Sequence, residues 1–220
     1  MSDKPFLTYQ EQLPDSLPLF PLPNAVAMPG CQLPLNVFEP RYINMVLDAL
    51  GEHRLIGMVQ PDPSQTDSVE PRLYGTGTAG RITYFQETTD QRLMIVLTGV
   101  CRFDLRALTT TERGYRRAQV DWRRFQHDLS APPLLEIDRA HLIRQLQIYF
   151  SQKKLETDWK ILEEVATPDL INRLICLLPF EVAERQLLIQ SVNLEERMMN
   201  LLTLLRYEGN DAHAASHRAH

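Results

Sequence analysis

The sequence predicts an α+β protein. A bent, mostly antiparallel β-domain over residues 13–128 carries one packed helix, and a helical bundle follows over 134–207. Two observations lead there. Up to about residue 130 the apolar residues recur with strand-like spacing, and after Pro132-Pro133 they recur with a helical period. The stretch over residues 17–42, LPLFPLPNAVAMPGCQLPLNVFEPRY, then reads as two short apolar strands punctuated by Pro18, Pro21, Pro23, Pro29 and Pro34. Proline donates no ladder hydrogen bond, so such strands belong at edges, bulges and turns.

The elements follow in order. Pro29-Gly30 is a turn between the two opening strands. A helix starts at Glu39-Pro40, with Ile43, Val46, Leu47 and Leu50 at i, i+3, i+4 and i+7 and Gly51 at its stop. Residues 54–59 are a short apolar run, and 61–71 form a polar, proline-bearing loop. Residues 73–85 and 93–97 are β-rich runs joined by the polar turn 87–91. Residues 100–108 alternate, with Cys101, Phe103, Leu105 and Ala107 on the apolar face. Residues 115–125 are a further strand.

In the second half Leu142, Leu146, Tyr149 and Phe150 share one helical face. Thr167 caps a helix that starts at Pro168, carries Leu170, Ile171, Leu174, Ile175 and Leu178, and ends at Pro179. Residues 181–190 form a short helix. Asn193 and Glu196 make a capping-box-like pair for the last helix, whose stripe is Leu194, Met198, Leu201, Leu202 and Leu205. Residues 209–220 carry no large apolar residue, and they and residues 1–12 are expected to be flexible termini.

Composition excludes several classes. The chain has 220 residues, 44% of them hydrophobic, enough for a real core. No apolar run approaches the ~18 residues of a membrane span. The opening MSDKPFLTYQEQLPDS lacks the basic and apolar regions of a signal peptide, so a cytoplasmic protein is expected. The three cysteines, Cys31, Cys101 and Cys176, are odd in number and far apart, which argues for free buried thiols rather than a disulfide framework or metal site. A net charge of −5 gives no reason to expect nucleic acid or an acidic membrane as the main partner.

Motif searches point away from catalysis. Gly75-x-Gly77-x-x-Gly80 fits a dinucleotide fingerprint, but that chemistry needs a helix N-terminus after the glycines. Arg81-Ile82-Thr83-Tyr84-Phe85 reads as a strand instead, with the glycines easing a bend or bulge. His213, His217 and His220 lie in a short polar tail that cannot hold a metal geometry, and no HExxH or GxSxG occurs. Neither a metal, a cofactor nor a catalytic residue is expected. Glu163-Glu164 and Glu195-Glu196 are helix neighbours pointing ~100° apart, so they form no acid–base dyad. Arg113, Arg116, Arg117, Arg123 and Arg124 cluster with Tyr115, Trp122 and Phe125 interleaved, the one hint of nucleic-acid binding.

Leu17 to Leu22 (LPLFPL), Pro29-Gly30, Leu33 to Leu35 (LPL) and Phe38 to Tyr42 (FEPRY) resemble the opening of the LON substrate-binding domain, the N-terminal domain of Lon proteases. GTGTAGRI over 75–82, GVCRF over 99–103, and residues 178–204 with LPF, ERQLL and VNLEER extend the resemblance to residues 13–207. It implies a PUA-like β-domain and a non-enzymatic module that recognises unfolded or extended polypeptide. A substrate recruiter or adaptor in protein quality control is the implied role, with a separate ATP-dependent protease as candidate partner. The sequence holds no GxxxxGK[ST] phosphate loop and no counterpart of Lon's proteolytic serine and lysine, so a free-standing binding domain is expected. An apolar groove with sheet edges open to strand addition would carry the binding, and its candidate residues are Met28, Leu35, Phe38 and Tyr42. Some PUA domains bind RNA. The alternative is therefore an RNA-binding module using Arg116, Arg117, Arg123 and Arg124.

Overall fold

Six strands and six helices build the protein in a computed structural model that describes residues 13–64, 71–130 and 138–217, with side chains through Tyr207. The strands are β1 (Ser16–Pro21), β2 (Gln32–Val37), β3 (Leu55–Val59), β4 (Thr76–Glu87), β5 (Leu93–Thr110) and β6 (Arg116–Asp121). The sheet order is β2-β5-β4-β3-β1-β6, and β5 also pairs with β6. That extra pairing closes β1, β3, β4, β5 and β6 into a ring, with β2 lying on the first half of β5 outside it. β1 runs parallel to β3, and the other pairs are antiparallel.

The prolines sit where a donor is not missed. Pro18 pairs with Arg117 of β6 before the β3 pairing begins at Leu19, and Pro21 ends its strand. Just ahead of β2 the Gly99 N–H of β5 bonds the Cys31 carbonyl at 2.8 Å. Alternation along the pair then turns the backbone groups of Leu33 and Leu35 toward β5 and those of Gln32, Pro34 and Asn36 outward. Pro34 thus leaves a gap in the donors of the free edge, which discourages self-pairing.

The sequence split β5 into two runs, but it is one strand of 18 residues. Gly99 sits in its middle, and a Cβ there would lie 2.2 Å from the Ala27 carbonyl and 2.1 Å from that of Met28. The glycine is required by a crossing chain, not by a turn. A strand does follow Gly75-x-Gly77-x-x-Gly80, and the β4–β5 register shifts between Ala79 and Gly80. The expected strand over 115–125 ends at Asp121 and continues as a 3-10 segment over Arg123–Leu129.

Helix α1 (Pro40–Gly51) buries Tyr42, Met45, Val46 and Ala49. The expected stripe through Leu47 is rotated, and Leu47 is 43% exposed. The phase is set by Tyr42, whose ring packs 4.5 Å from that of Phe20, leaving Ile43 and Leu50 as partly buried flanks.

The helical half comprises α2 (Arg139–Lys153), α3 (Trp159–Glu164), α4 (Thr167–Leu177), α5 (Val182–Gln190) and α6 (Leu194–His217). Helix α3 spans only six residues, too few for a helical period to show in the sequence, and Trp159 and Leu162 pack it on the helical core. Ala166, not Thr167, caps α4, because the Thr167 hydroxyl accepts from Arg139 at 2.9 Å instead. A capping box of Glu181 and Glu184 starts α5. Asn193 accepts from the Glu196 N–H at 2.9 Å at the start of α6, and Glu196 accepts from the Val192 N–H at 2.6 Å. Met198, Leu201 and Leu205 are buried along it. The helix continues through His217 rather than stopping at Gly209, since alanines follow the glycine and no proline does. Residues 1–12 and 218–220, expected to be flexible, lie outside the described residues, as do 131–137, where the expected boundary between the halves falls.

Three cores hold this together. One fills the ring with Leu17, Leu19, Phe103, Trp122 and Phe125, and a second lies between α1 and the sheet. The third is the helical core, into which the 26–31 segment of the β-half inserts Val26, Met28 and Cys31. A polar seam runs alongside. Arg102 is fully buried, bonds Asp128 through Nε at 2.8 Å and donates to the carbonyls of Ile189 and Ser191 at the end of α5. Arg197 of α6 bonds Asn172 of α4 at 2.7 Å, and Asn172 in turn donates to the Pro29 carbonyl at 3.0 Å.

Candidate functional site

A cleft of about 190 Å³ opens at the N-terminal end of α1, lined by Pro21, Leu22, Glu39, Arg41, Tyr42, Pro61, Pro71, Gly114, Tyr115 and Arg116. Four pieces of chain meet there. The end of β1 supplies Pro21 and Leu22, and the Leu22 N–H bonds the Val59 carbonyl at 3.2 Å. The neck of the 61–71 loop supplies the two prolines. It is closed by a Pro61–Leu73 bridge and by the Asp62 N–H on the Arg72 carbonyl at 2.8 Å. The β5–β6 turn supplies Gly114 at φ 84°, and the Thr111 carbonyl accepts from its N–H at 3.0 Å. Helix α1 supplies Tyr42.

The walls are proline and aromatic, and the rim is charged. Tyr115 is buried and donates its hydroxyl to Asp48 at 2.9 Å. Burial and that carboxylate both push its pKa up. Arg113 also bonds Asp48 and fixes the turn against α1. Glu39 and Arg41 pair at 2.9 Å on the exposed rim, a geometry that contributes little stability in water. The Arg41 guanidinium lies 4.6 Å from the Tyr42 ring centre, which presents one side of that ring to the charge. Arg116 reaches across to the Pro71 carbonyl at 3.0 Å.

The structure does not gather the four predicted groove residues. Only Tyr42 lines the cleft. Met28 has no exposed surface and belongs to the helical core, because the helical half covers the segment that the sequence presented as groove wall. Leu35 is half-buried against the α1–sheet core. Phe38 is 62% exposed, beside the Glu39 rim, with the Arg92 guanidinium 5.7 Å from its ring. Sequence reasoning missed Leu22, Pro61, Pro71 and Tyr115. The signal available was proline density at the end of LPLFPL and through 61–71, but nothing in the sequence brings those segments together.

The arginines fare differently from a free basic strand. Arg117 pairs with Glu52 at 2.5 Å, Arg123 with Asp121 at 2.5 Å and Arg124 with Asp104 at 3.3 Å. Only Arg116 of the four turns to the cleft. Among the described residues no group of three or more His, Cys, Asp or Glu side chains could hold a metal ion, and no helix is long and apolar enough to cross a membrane.

The sequence profile described as the ATP-dependent protease La (LON) substrate-binding domain matches residues 16–207, both halves of the fold. The chain belongs to the LON substrate-binding domain family. This LON domain is similar to Lon protease 2 of Myxococcus xanthus, 28% identical over 208 residues, and to the Lon protease of Anaeromyxobacter dehalogenans, 28% identical over 206. Each alignment covers 91% of this chain and 24% of the relative, so the chain spans about a quarter of the length of the curated relatives it matches. The crystal structure of a Lon N-terminal domain protein from Xanthomonas campestris is 26% identical, with a TM-score of 0.61 over 86% of this chain and 97% of that one. The N-terminal domain of the Mycobacterium avium complex Lon protease shares the LON-domain fold at a TM-score of 0.61 and 14% identity, covering 89% of this chain and 98% of that one.

Proposed function

We propose that this LON domain is a non-enzymatic binding module for unfolded or extended polypeptide, seating an apolar side chain in the cleft between Tyr42 and Tyr115. The cleft carries the reading. At about 190 Å³ it falls below the ~300–1,000 Å³ of cofactor and drug-sized pockets, and it suits one side chain of a longer ligand. Exposed Phe38 extends apolar surface beyond the rim, where a second residue of an extended chain would lie. The Arg116 guanidinium at the rim, which holds the Pro71 carbonyl at 3.0 Å, offers a donor to a polypeptide main chain. A Lon-type ATP-dependent protease is the proposed recipient of the bound polypeptide, in line with the relatives. The ion pairs of Arg117, Arg123 and Arg124 favour this reading over RNA, since their charge is already matched.

Fluorescence anisotropy with a labelled, reduced and carboxymethylated protein tests it. The chain is expected to bind with micromolar affinity, because a single cleft lacks avidity. Leu22→Asp places a charge in the apolar wall and is expected to weaken binding at least ~10-fold, by the cost of desolvating it. Its circular dichroism should match that of the unsubstituted chain. Replacing Arg117, Arg123 and Arg124 with Gln should leave binding unchanged. No binding by the unsubstituted chain, or full binding by Leu22→Asp, contradicts the proposal.

A further inference from the structure

We propose that Cys31 and Cys176 are a redox-active dithiol that closes to a disulfide when the folded protein meets peroxide. The sequence sets these residues far apart, and the fold joins them. Cys31 lies in the turn ahead of β2, where its N–H bonds the Met28 carbonyl at 2.8 Å and its carbonyl accepts from Gly99 at 2.8 Å. Cys176 lies in the last turn of α4. Asn172, one turn earlier on the same helix, holds the Pro29 carbonyl at 3.0 Å and pins α4 to that turn. The two thiols hydrogen-bond each other, and the Met28 N–H also donates to the Cys176 sulfur. Both are free thiols in the structure.

The pair is asymmetric. The hydrogen bond to Cys176, and then burial, push the Cys31 thiol up. The same bond holds Cys176 below the ordinary thiol value against the opposing effect of burial, helped by the Met28 N–H and the positive charge of Arg185. Arg185 donates to the Cys176 carbonyl at 3.3 Å, so that charge is fixed in place. Cys176 is also partly exposed, whereas Cys31 is buried. These are the features of an attacking thiolate beside a resolving thiol. Cys101 offers the contrast. It is fully buried, its thiol donates to the Phe125 carbonyl at 3.4 Å, and burial pushes it up.

The chemistry balances with hydrogen peroxide as oxidant. The Cys176 thiolate attacks one peroxide oxygen, the O–O bond breaks, and sulfenic acid and hydroxide form. The Cys31 sulfur then attacks the Cys176 sulfur. Its proton leaves with the displaced hydroxyl as water. Two thiols lose two electrons and two protons, and the peroxide ends as two waters. The new bond ties the turn ahead of β2 to α4, hence the β-half to the helical half, and it restricts the unfolded chain.

The test is peroxide treatment of the native chain, thiol alkylation and peptide mass mapping. The expected product is a Cys31–Cys176 linked peptide with Cys101 recovered as a free thiol, and a higher denaturant midpoint than the reduced chain. Cys31→Ser should leave a dimedone-trappable sulfenic acid on Cys176. If that variant does not fold, mapping of the unsubstituted chain decides. Recovery of Cys31 and Cys176 as thiols under peroxide that oxidises glutathione overturns the proposal. So does consumption of Cys101 at the rate of Cys176.

Discussion

Alanine in place of Gly99 is expected to cost about 4 kcal/mol or more of folding stability, a large part of the ~5–15 kcal/mol of an ordinary domain. Its Cβ would stand 2.1 Å from the Met28 carbonyl oxygen and 2.2 Å from that of Ala27. Those neighbours are main chain, not the ends of flexible side chains, so they cannot yield cheaply. The same crossing is held by the Gly30 N–H on the Gly99 carbonyl at 2.9 Å and by the Gly99 N–H on Cys31 at 2.8 Å. Moving β5 away would break both bonds and pull Met28 from the helical core. Urea melts of Gly99→Ala measure the effect, and a loss under about 1 kcal/mol would show that the crossing is soft.

Asp128→Ala is expected to cost about 3–5 kcal/mol, the range for removing one partner of a buried ion pair. Arg102 and Asp128 are 0% and 5% exposed as side chains, and Arg197 approaches the same carboxylate at 4.0 Å. Alanine would leave two buried guanidinium groups with no anion between them. The seam touches β5, the 3-10 segment, α5 and α6, so both halves should unfold in one transition. Acid should act on the same point. Burial alone would raise the Asp128 pKa, but the hydrogen bonds and charge of Arg102 outweigh burial and hold it below the ordinary range. A carboxyl depressed in the folded state adds stability above its unfolded value near ~3.9, and that stability is lost as pH falls through the folded value. The unsubstituted chain should therefore weaken below about pH 4, and Asp128→Ala should flatten that part of the profile. An Asp128→Ala melt within error of the parent would contradict the seam.

Arg102 also shows where sequence reading stops. The alternation Val100, Arg102, Asp104, Arg106 against Cys101, Phe103, Leu105, Ala107 locates a strand, and β5 is there, but Arg102 is buried between Cys101 and Phe103 while Ala107 of the expected apolar face is exposed. Period two cannot show that α5 and α6 cover the polar face at Arg102. Met28 failed as a groove residue for the same reason, because the covering helices lie more than a hundred residues on. The strand pattern, the Asn193 cap of α6 and the LPLFPL and FEPRY segments were legible because each depends on near neighbours. The cleft was only partly so. Tyr42 follows from FEPRY, whereas Leu22, Pro71 and Tyr115 meet it through the ring closure of β1 with β6. Cys31 and Cys176 meet through the docking of α4 on the 26–31 segment. Both depend on long-range pairing that local periodicity does not encode.

Polypeptide binding at the cleft is tested most directly by amide hydrogen exchange on the full chain with and without a saturating, reduced and carboxymethylated protein. The account predicts slower exchange at Leu22, at Arg41 and Tyr42, and over residues 114–116, with Arg123 and Arg124 unchanged. Protection confined to Arg123 and Arg124, or absent from the cleft while binding is saturated, would contradict it.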